Sequence, residues 1–270
     1  MSEHAPYGTE ARDDAIASAA DIAEGSAVAR QLVARVSADL RERAGGWRDA
    51  PADAVDALCA HLVADDPRAA EAHISALLAR GVAADRLYSG YLAGAARELG
   101  RRWEDDEISF GEVGLGMARL QRLLRELSPA FLGGAHAPGG LDAPCAIVAS
   151  APGERHVFGA LMFADHLRRI GWRVRLEVGG DEAPILAACE DEAADVVAVS
   201  IACRVCLPRV RTLVGALRAA RTPPRLIALG GALADFGAED LAACGADLTA
   251  RTAAEVQSAL AEAPARTTRV

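Results

Sequence analysis

The residues that could do chemistry are concentrated in the turn 153–159, where Glu154 precedes His156 by two positions. A short apolar run, residues 146–149, comes before this turn, and an amphipathic run, residues 160–170, follows it. This pattern predicts a strand, a glycine-bearing turn and a helix start, which puts His156 where open α/β sheets bind ligands. A metal-ligating imidazole uses one nitrogen for the metal and donates from the other to an acceptor such as a carboxylate. By itself His156 is equally consistent with such a metal ligand and with a helix-capping or core histidine.

The elements that must position this turn alternate regularly after residue 144. Strands are predicted at residues 145–150, 173–178, 195–201, 225–229 and 247–249. Helices are predicted at residues 157–170, 183–192, 208–220, around 241–243 and at 253–263. Five alternating units predict an α/β fold with a flavodoxin-like, doubly wound parallel sheet of five strands, spanning residues 145–263.

The part of the chain before this sheet is predicted to be helical. Residues 51–130 carry four amphipathic stretches with short connections, which is typical of a four-helix bundle. Ser109 and Glu112 have the spacing of a capping box for the last of these helices. Glycine and proline mark residues 131–144 as a linker. Residues 1–50 are expected to form an N-terminal helical extension, and residues 264–270 a disordered tail.

Composition excludes several classes of protein. The chain has 270 residues, a net charge of −9 and no lysine, so a generic phosphate-binding surface is not expected. No apolar run is long enough for a membrane span, and the first residues are polar, unlike a signal peptide. The six cysteines are therefore predicted to be reduced thiols, mostly buried, in a cytoplasmic protein.

Three motifs together resemble the signature of cobalamin-binding domains: Glu154-x-His156-x-x-Gly159, Ser200 at the end of the third strand, and Gly230-Gly231 after the fourth. The resemblance implies that His156 replaces the dimethylbenzimidazole tail as the lower ligand of cobalt, with Glu154 fixing its tautomer. The tail would lie in a slot beside the sheet. Gly159 would let the first helix approach it, Ser200 would hydrogen-bond it, and Gly230-Gly231 would leave room for it.

The helices before the sheet resemble the cap that covers the upper face of the corrin, with Trp103 matching its aromatic residue. An ordinary core position is the alternative for Trp103. Light-responsive repressors of this superfamily carry an upper histidine where this chain has Val113 and Gly114. Residues 108–127 and 152–159 are most similar to the AerR/PpaA-type antirepressors of photosynthesis genes. Water, an alkyl group or His4 is the expected upper ligand, with His136 a weaker candidate.

This resemblance implies a light- or redox-responsive transcriptional regulator, not an enzyme, that acts through a DNA-binding repressor protein without direct DNA contact. The cofactor would be adenosyl-, methyl- or hydroxocobalamin, and a change of its upper ligand would shift the cap. A methyl-carrying corrinoid protein and a haem-binding sensor of the same fold are the alternatives. The expected cofactor-binding residues are Trp103, Gly153, Glu154, Arg155, His156, Val157, Phe158, Gly159, Ser200, Arg204, Gly230, Gly231 and Ala250.

Cys203 and Cys206 form a Cys-x-x-Cys pair after the third strand. A zinc site would need a second pair, which the chain lacks. A redox switch would rest on the low thiol pKa that this spacing can confer. The third interpretation is that both residues simply line the tail slot. Elsewhere, the acidic run 104–107 is expected to be a solvated hinge, and Arg119, Arg122 and Arg125 an exposed helix face.

Overall fold

A computed structural model describes residues 50–133, 140, 142–231, 236 and 238–264. The chain divides into two compact units, Met1–Gly134 and Ala135–Val270, and each is described by itself. Residues 1–49 of the predicted extension, with His4, lie outside the described residues. So do His136 and residues 265–270 of the predicted tail.

The amino-terminal unit is helical throughout its described part. Helix α1 spans Ala52–Val63, α2 spans Ala69–Ala79 and α4 spans Phe110–Leu132. Helix α3 is continuous but changes geometry: it begins at Ala84–Arg86, becomes π-helical over Leu87–Leu92 and continues as an α-helix over Ala93–Glu104. The π-helical segment is entirely buried, so it belongs to the core of this unit.

Helix α4 begins as predicted and ends later than predicted. Its capping box is present, with Ser109 and Glu112 each accepting a backbone N–H of the other. The helix continues past Pro129, a residue that marks the predicted linker, and ends at Leu132. The additional turn buries Phe131, which stacks on Tyr88 with ring centroids 4.1 Å apart. Burial of this aromatic pair offsets the hydrogen bond that a proline removes from a helix.

Two charged segments of this unit are more engaged than the sequence suggested. The acidic run after α3 is not merely solvated, because Arg101 forms ion pairs with Glu98, Asp105 and Glu107. Arg119 is not an exposed side chain either, because its guanidinium donates to the carbonyl oxygens of Leu62 and Ala64. Arg119 of α4 therefore binds carbonyl groups at the end of α1, where a helix leaves its last carbonyl groups without partners.

The carboxyl-terminal unit is a parallel sheet of five strands. The strands are β1 (Cys145–Ser150), β2 (Arg173–Glu177), β3 (Val196–Ile201), β4 (Leu226–Gly231) and β5 (Leu248–Thr249). Their order in space is β2-β1-β3-β4-β5, which is the flavodoxin-like order, and the predicted fold class is confirmed.

Helices cover both faces of this sheet, as a doubly wound fold requires. One face packs against α6 (Glu182–Asp191), α7 (Leu207–Ala219) and α8 (Ala238–Ala242). The other packs against α5 (Phe158–Arg169) and α9 (Ala253–Glu262). Because β1 and β3 are buried on both faces, their sequences are almost uninterrupted apolar runs.

A search of the described residues for a helix that is long and apolar enough to cross a membrane found none.

Candidate functional site

The turn between β1 and α5 places Glu154 and His156 at the carboxyl end of the sheet. Two backbone hydrogen bonds hold it: Ala151 donates to Ser200 at 2.9 Å, and Glu154 donates to Ala151 at 2.8 Å. Gly153 has a φ of +79°, which side-chain-bearing residues rarely adopt, and a Cβ there would collide with the guanidinium of Arg209. The backbone of the turn therefore requires glycine at 153, whereas the flexible end of Arg209 could move aside for a side chain.

Glu154 is the fixed point of the site. Its side chain is only 3% exposed, and its two oxygens accept hydrogen bonds from different parts of the chain. One oxygen accepts the backbone N–H groups of Arg155 at 2.9 Å and His156 at 3.0 Å. The other accepts the N–H of Ala202, after β3, at 3.2 Å. Donors from two loops thus hold a buried carboxylate at the adjacent ends of β1 and β3.

His156 uses this carboxylate as its partner. Its Nδ1 lies 2.6 Å from Oε1 of Glu154, while 66% of the side chain remains exposed. If Nδ1 carries the proton that it donates to Glu154, then Nε2 keeps its lone pair and can ligate a metal. This arrangement fits a cobalt ligand, because the ring is held at one nitrogen and accessible at the other. It does not fit a core histidine.

The charges around Glu154 determine its pKa and that of its neighbours. Burial raises the pKa of the Glu154 carboxyl, but the hydrogen bonds from His156 and Ala202 outweigh burial, and the net pKa is lowered. The thiols of Cys203 and Cys206 show the opposite shift. Burial and the negative charge of Glu154 both raise their pKa. The low thiol pKa on which a redox switch would rest is not found, because the nearby carboxylate disfavours a thiolate.

Both thiols nevertheless belong to the Glu154 site. The sulfur of Cys203 lies 3.7 Å from Nδ1 of His156, and Cys206 donates to Glu154 at 3.8 Å. Ligand atoms of Glu154, His156 and Cys203 all lie within 4.8 Å of one another. The sequence placed the Cys-x-x-Cys pair beside the tail slot, but the contact of Cys203 with His156 was not predicted. The adjacency of β1 and β3 was the signal, since both loops leave neighbouring strand ends.

Ser200 and Gly159 face each other at the same edge. A Cβ on Gly159 would lie 3.6 Å from Oγ of Ser200, an ordinary contact distance, so the glycine is not required by the fold. Among the described residues the Ser200 side chain has no hydrogen-bond partner, and its hydroxyl is free to bind a ligand. Both residues therefore fit the roles that the resemblance implies for them.

Gly230 and Gly231 are the last two residues of β4, and the backbone supplies a reason for them besides the predicted room for a ligand. A Cβ on Gly230 would lie 3.1 Å from the carbonyl oxygen of Ala250. Gly231 has a φ of +101°, and a Cβ there would collide with the backbone of Ile201. The backbone therefore requires glycine at 231 whether or not a ligand binds, while a side chain at 230 would need the Ala250 carbonyl to shift by a few tenths of an ångström. Ala250 itself is buried and donates to Leu229 at 2.8 Å.

The remaining predicted residues are dispersed. Phe158 is buried and packs inside the protein, while Val157, which precedes α5, is half-buried and Arg155 is exposed. Arg204 is ion-paired with Asp240 of α8. Trp103, in the amino-terminal unit, is 45% exposed, which excludes an ordinary core position. The cofactor contacts predicted for these residues stay predictions.

Comparison with known proteins identifies the type of domain. The B12 binding domain family matches residues 144–261. A protein of Rhodobacter capsulatus, described as an uncharacterized 20.5 kDa protein in the bchF-crtJ intergenic region, is 33% identical over 172 residues. The match covers 62% of this chain and 86% of that protein.

Two solved structures are also similar. A cobalamin-binding protein from Desulfitobacterium hafniense DCB-2 has 18% identity and a TM-score of 0.40, over 77% of this chain and 97% of that one. The methanol:cobalamin methyltransferase complex MtaBC from Methanosarcina barkeri has 14% identity and a TM-score of 0.37, over 98% of this chain and 97% of that one.

Proposed function

The chain belongs to the B12-binding domain family, and we propose that it binds a cobalamin through His156 and acts as a regulator of transcription. The observation that carries the binding proposal is the Glu154–His156 pair. The buried carboxylate holds Nδ1 of the imidazole at 2.6 Å, and the other face of the ring is open. Such pairing raises the basicity of the ligating nitrogen and fixes the orientation of the ring.

When bound, a cobalamin supplies a cobalt centre whose axial ligands can be exchanged. The chain's own contribution is to present one nitrogen donor and to hold it in place. Glu154 cannot move with His156, because the N–H of Ala202 holds its second oxygen from the neighbouring loop. The free hydroxyl of Ser200 and the exposed Gly159 opposite it suit the nucleotide tail of the same cofactor.

The regulatory part of the proposal has separate support. Residues 108–127 and 152–159 are similar to AerR/PpaA-type antirepressors, and the Rhodobacter capsulatus relative is named for the bchF-crtJ intergenic region. We expect a cytoplasmic, non-enzymatic protein that responds to light or redox state and contacts a DNA-binding repressor. The net charge of −9 suits contact with a protein better than contact with DNA.

The binding proposal is tested by absorption spectroscopy of the purified protein mixed with hydroxocobalamin and then desalted. The wild-type protein should keep the corrinoid, and His156→Ala should lose it or change the cobalt ligation. His166→Ala is the matched control, because this histidine lies ten residues later, in α5, and should leave the spectrum unchanged. A wild-type protein that is colourless after desalting would disprove the proposal.

The regulatory proposal needs a second experiment. The affinity of the corrinoid-loaded protein for the DNA-binding repressor should differ between dark and illuminated, or reduced and oxidised, samples. An unchanged affinity under all four conditions would contradict it. Transfer of a methyl group to the reduced corrinoid by a methyltransferase would instead identify a carrier, and a Soret-dominated spectrum a haem protein.

A further inference from the structure

Three different kinds of metal-binding atom converge beside His156. Nδ1 of His156, the sulfur of Cys203 and a carboxylate oxygen of Glu154 lie within 4.8 Å of one another. The sulfur of Cys206 lies 3.8 Å from the second oxygen of Glu154 but does not belong to this group of three. All four residues belong to the loops that follow β1 and β3, so one side of the sheet edge carries the whole group.

The chemistry of this set points to one class of metal. Calcium and magnesium take oxygen ligands, whereas zinc binds sulfur, imidazole nitrogen and carboxylate oxygen in tetrahedral sites. We propose that the corrinoid-free protein binds a zinc ion through His156, Cys203 and Glu154. His156 and Glu154 here replace the second cysteine pair that the sequence lacks. This site uses Nδ1 of His156 and is distinct from the cobalt site, which uses Nε2.

The three side chains differ in how strongly burial and hydrogen bonds restrain them, and the less restrained ones could move to bind a metal. Glu154 is buried and held by backbone N–H groups, so it serves as a fixed ligand. The imidazole is largely exposed and Cys203 is half-buried, so both can adjust. The present distance of 2.6 Å between Nδ1 and Oε1 is that of a hydrogen bond, and the ring must swing outward to admit an ion between them.

Zinc binding changes the proton balance of the site. The proton on Nδ1 is lost and Nε2 gains one, so the imidazole stays neutral. The thiol of Cys203 loses its proton to solvent as the zinc–sulfur bond forms, which releases one proton per zinc.

The tautomer change has a consequence for the cobalt site, and this consequence rests on the proposed function. A neutral imidazole has one lone pair, so zinc at Nδ1 leaves Nε2 protonated and unable to ligate cobalt. Zinc binding and ligation of cobalt by His156 therefore exclude each other. Zinc would hold the protein in a corrinoid-free state until it is removed.

The zinc site is tested first without any corrinoid. Apoprotein freed of metal by a chelator is titrated with Zn²⁺ against a chromophoric chelator, and we expect one tightly bound zinc per chain. Cys203→Ser should lose this zinc. Cys244→Ala removes a buried thiol that follows α8 and lies outside the cluster, and this variant should keep the zinc. A wild-type protein without tight zinc, or a Cys203→Ser variant that binds equally well, would overturn the proposal.

A spectroscopic probe separates a thiolate ligand from adventitious binding. Co²⁺ added to the apoprotein should produce a sulfur-to-metal charge-transfer band that Cys203→Ser lacks and Cys244→Ala retains. Thermal unfolding of each variant verifies that it is folded. Hydroxocobalamin binding is then measured with and without Zn²⁺, and a loss of histidine ligation in the presence of zinc is expected. If the protein fails to bind a corrinoid, the proposed function fails, but the zinc titration of the corrinoid-free protein still tests the zinc site.

Discussion

The two units of the protein hold their carboxylates in different ways. In the amino-terminal unit, Glu98 binds the guanidinium groups of Arg101 and Arg102 at 2.8 Å, on a surface where the Arg101 side chain is 47% exposed. In the carboxyl-terminal unit, Glu154 is almost fully buried and accepts backbone N–H groups from two loops. Both carboxyl groups have a lowered pKa, that of Glu98 about 2. The donors to Glu98 are charged side chains, whereas Glu154 accepts backbone N–H groups as well as His156.

This difference distinguishes a carboxylate that orients a ligand-binding side chain, Glu154, from one that belongs to a surface ion-pair network, Glu98. Glu98 holds arginines that other carboxylates also hold, so the network would survive its loss. Glu154 holds an imidazole that has no other carboxylate partner among the described residues, and its own position depends on the fold of the sheet. A buried carboxylate that orients an exposed histidine is an arrangement for ligating something, whereas a surface network adds little to stability.

The largest effect is expected from Glu154→Gln. Loss of the charge weakens three or more hydrogen bonds in a buried place and should cost roughly 1.5–3 kcal/mol of unfolding free energy. It should also weaken corrinoid binding by about 10–100-fold, since the ring of His156 loses its partner. Hydrogen exchange of β1 and β3 measures the first effect, and a corrinoid titration the second. Glu262→Gln, an exposed change at the end of α9, serves as the control.

An intermediate effect is expected from acid. Both carboxyl groups have a folded pKa below the ordinary 4.5, so their stabilisation is complete above pH 4.5 and is lost as the pH falls through the folded pKa. In 1 M salt the screening length is about 3 Å. The stabilisation that Glu98 contributes should then decrease, whereas that of the buried Glu154 should persist.

This pH dependence of stability is measured by amide hydrogen exchange, because two units need not unfold together. Exchange in α3 reports on the unit that contains Glu98, and exchange in β3 on the unit that contains Glu154. The comparison of the wild type with Glu98→Gln and Glu154→Gln isolates each contribution. If salt removed the Glu154 contribution and spared that of Glu98, the distinction between the two carboxylates would be wrong.

The smallest effect is expected from Glu98→Gln at neutral pH. Exposed ion pairs contribute about 0–1 kcal/mol, and Arg101 keeps Asp105 and Glu107 as partners. Denaturant unfolding of the wild type and the variant at low and high salt should show a difference that vanishes with salt. A loss as large as that of Glu154→Gln would mean that the network is structural after all.

Much of the sheet could be predicted because its signals are local. The apolar runs at β1 and β3 and the alternation of strands and helices determine a doubly wound sheet of five strands. The capping box of α4 follows from Ser109 and Glu112 alone. The Glu154–His156 contact follows from two residues in one turn.

The remaining features depend on contacts between distant parts of the chain. Helix α4 runs through Pro129 because Phe131 reaches Tyr88, which is 43 positions away in sequence, and no local rule contains that partner. The raised thiol pKa of Cys203 and Cys206 comes from a carboxylate on another loop. The π-helical segment of α3 has no recognisable signal in its sequence, and we have no physical account of it beyond its burial.

Two glycines at the sheet edge, Gly159 and Gly231, should be conserved among relatives for different reasons. Gly231 is dictated by its left-handed backbone and by Ile201, so relatives that have lost the cofactor should still keep it. Gly159 meets only the end of a serine side chain and could mutate freely once binding is no longer selected. Among diverging relatives, glycine at position 159 would therefore indicate that the cofactor is still bound. Glycine at position 231 would indicate only that the fold is the same.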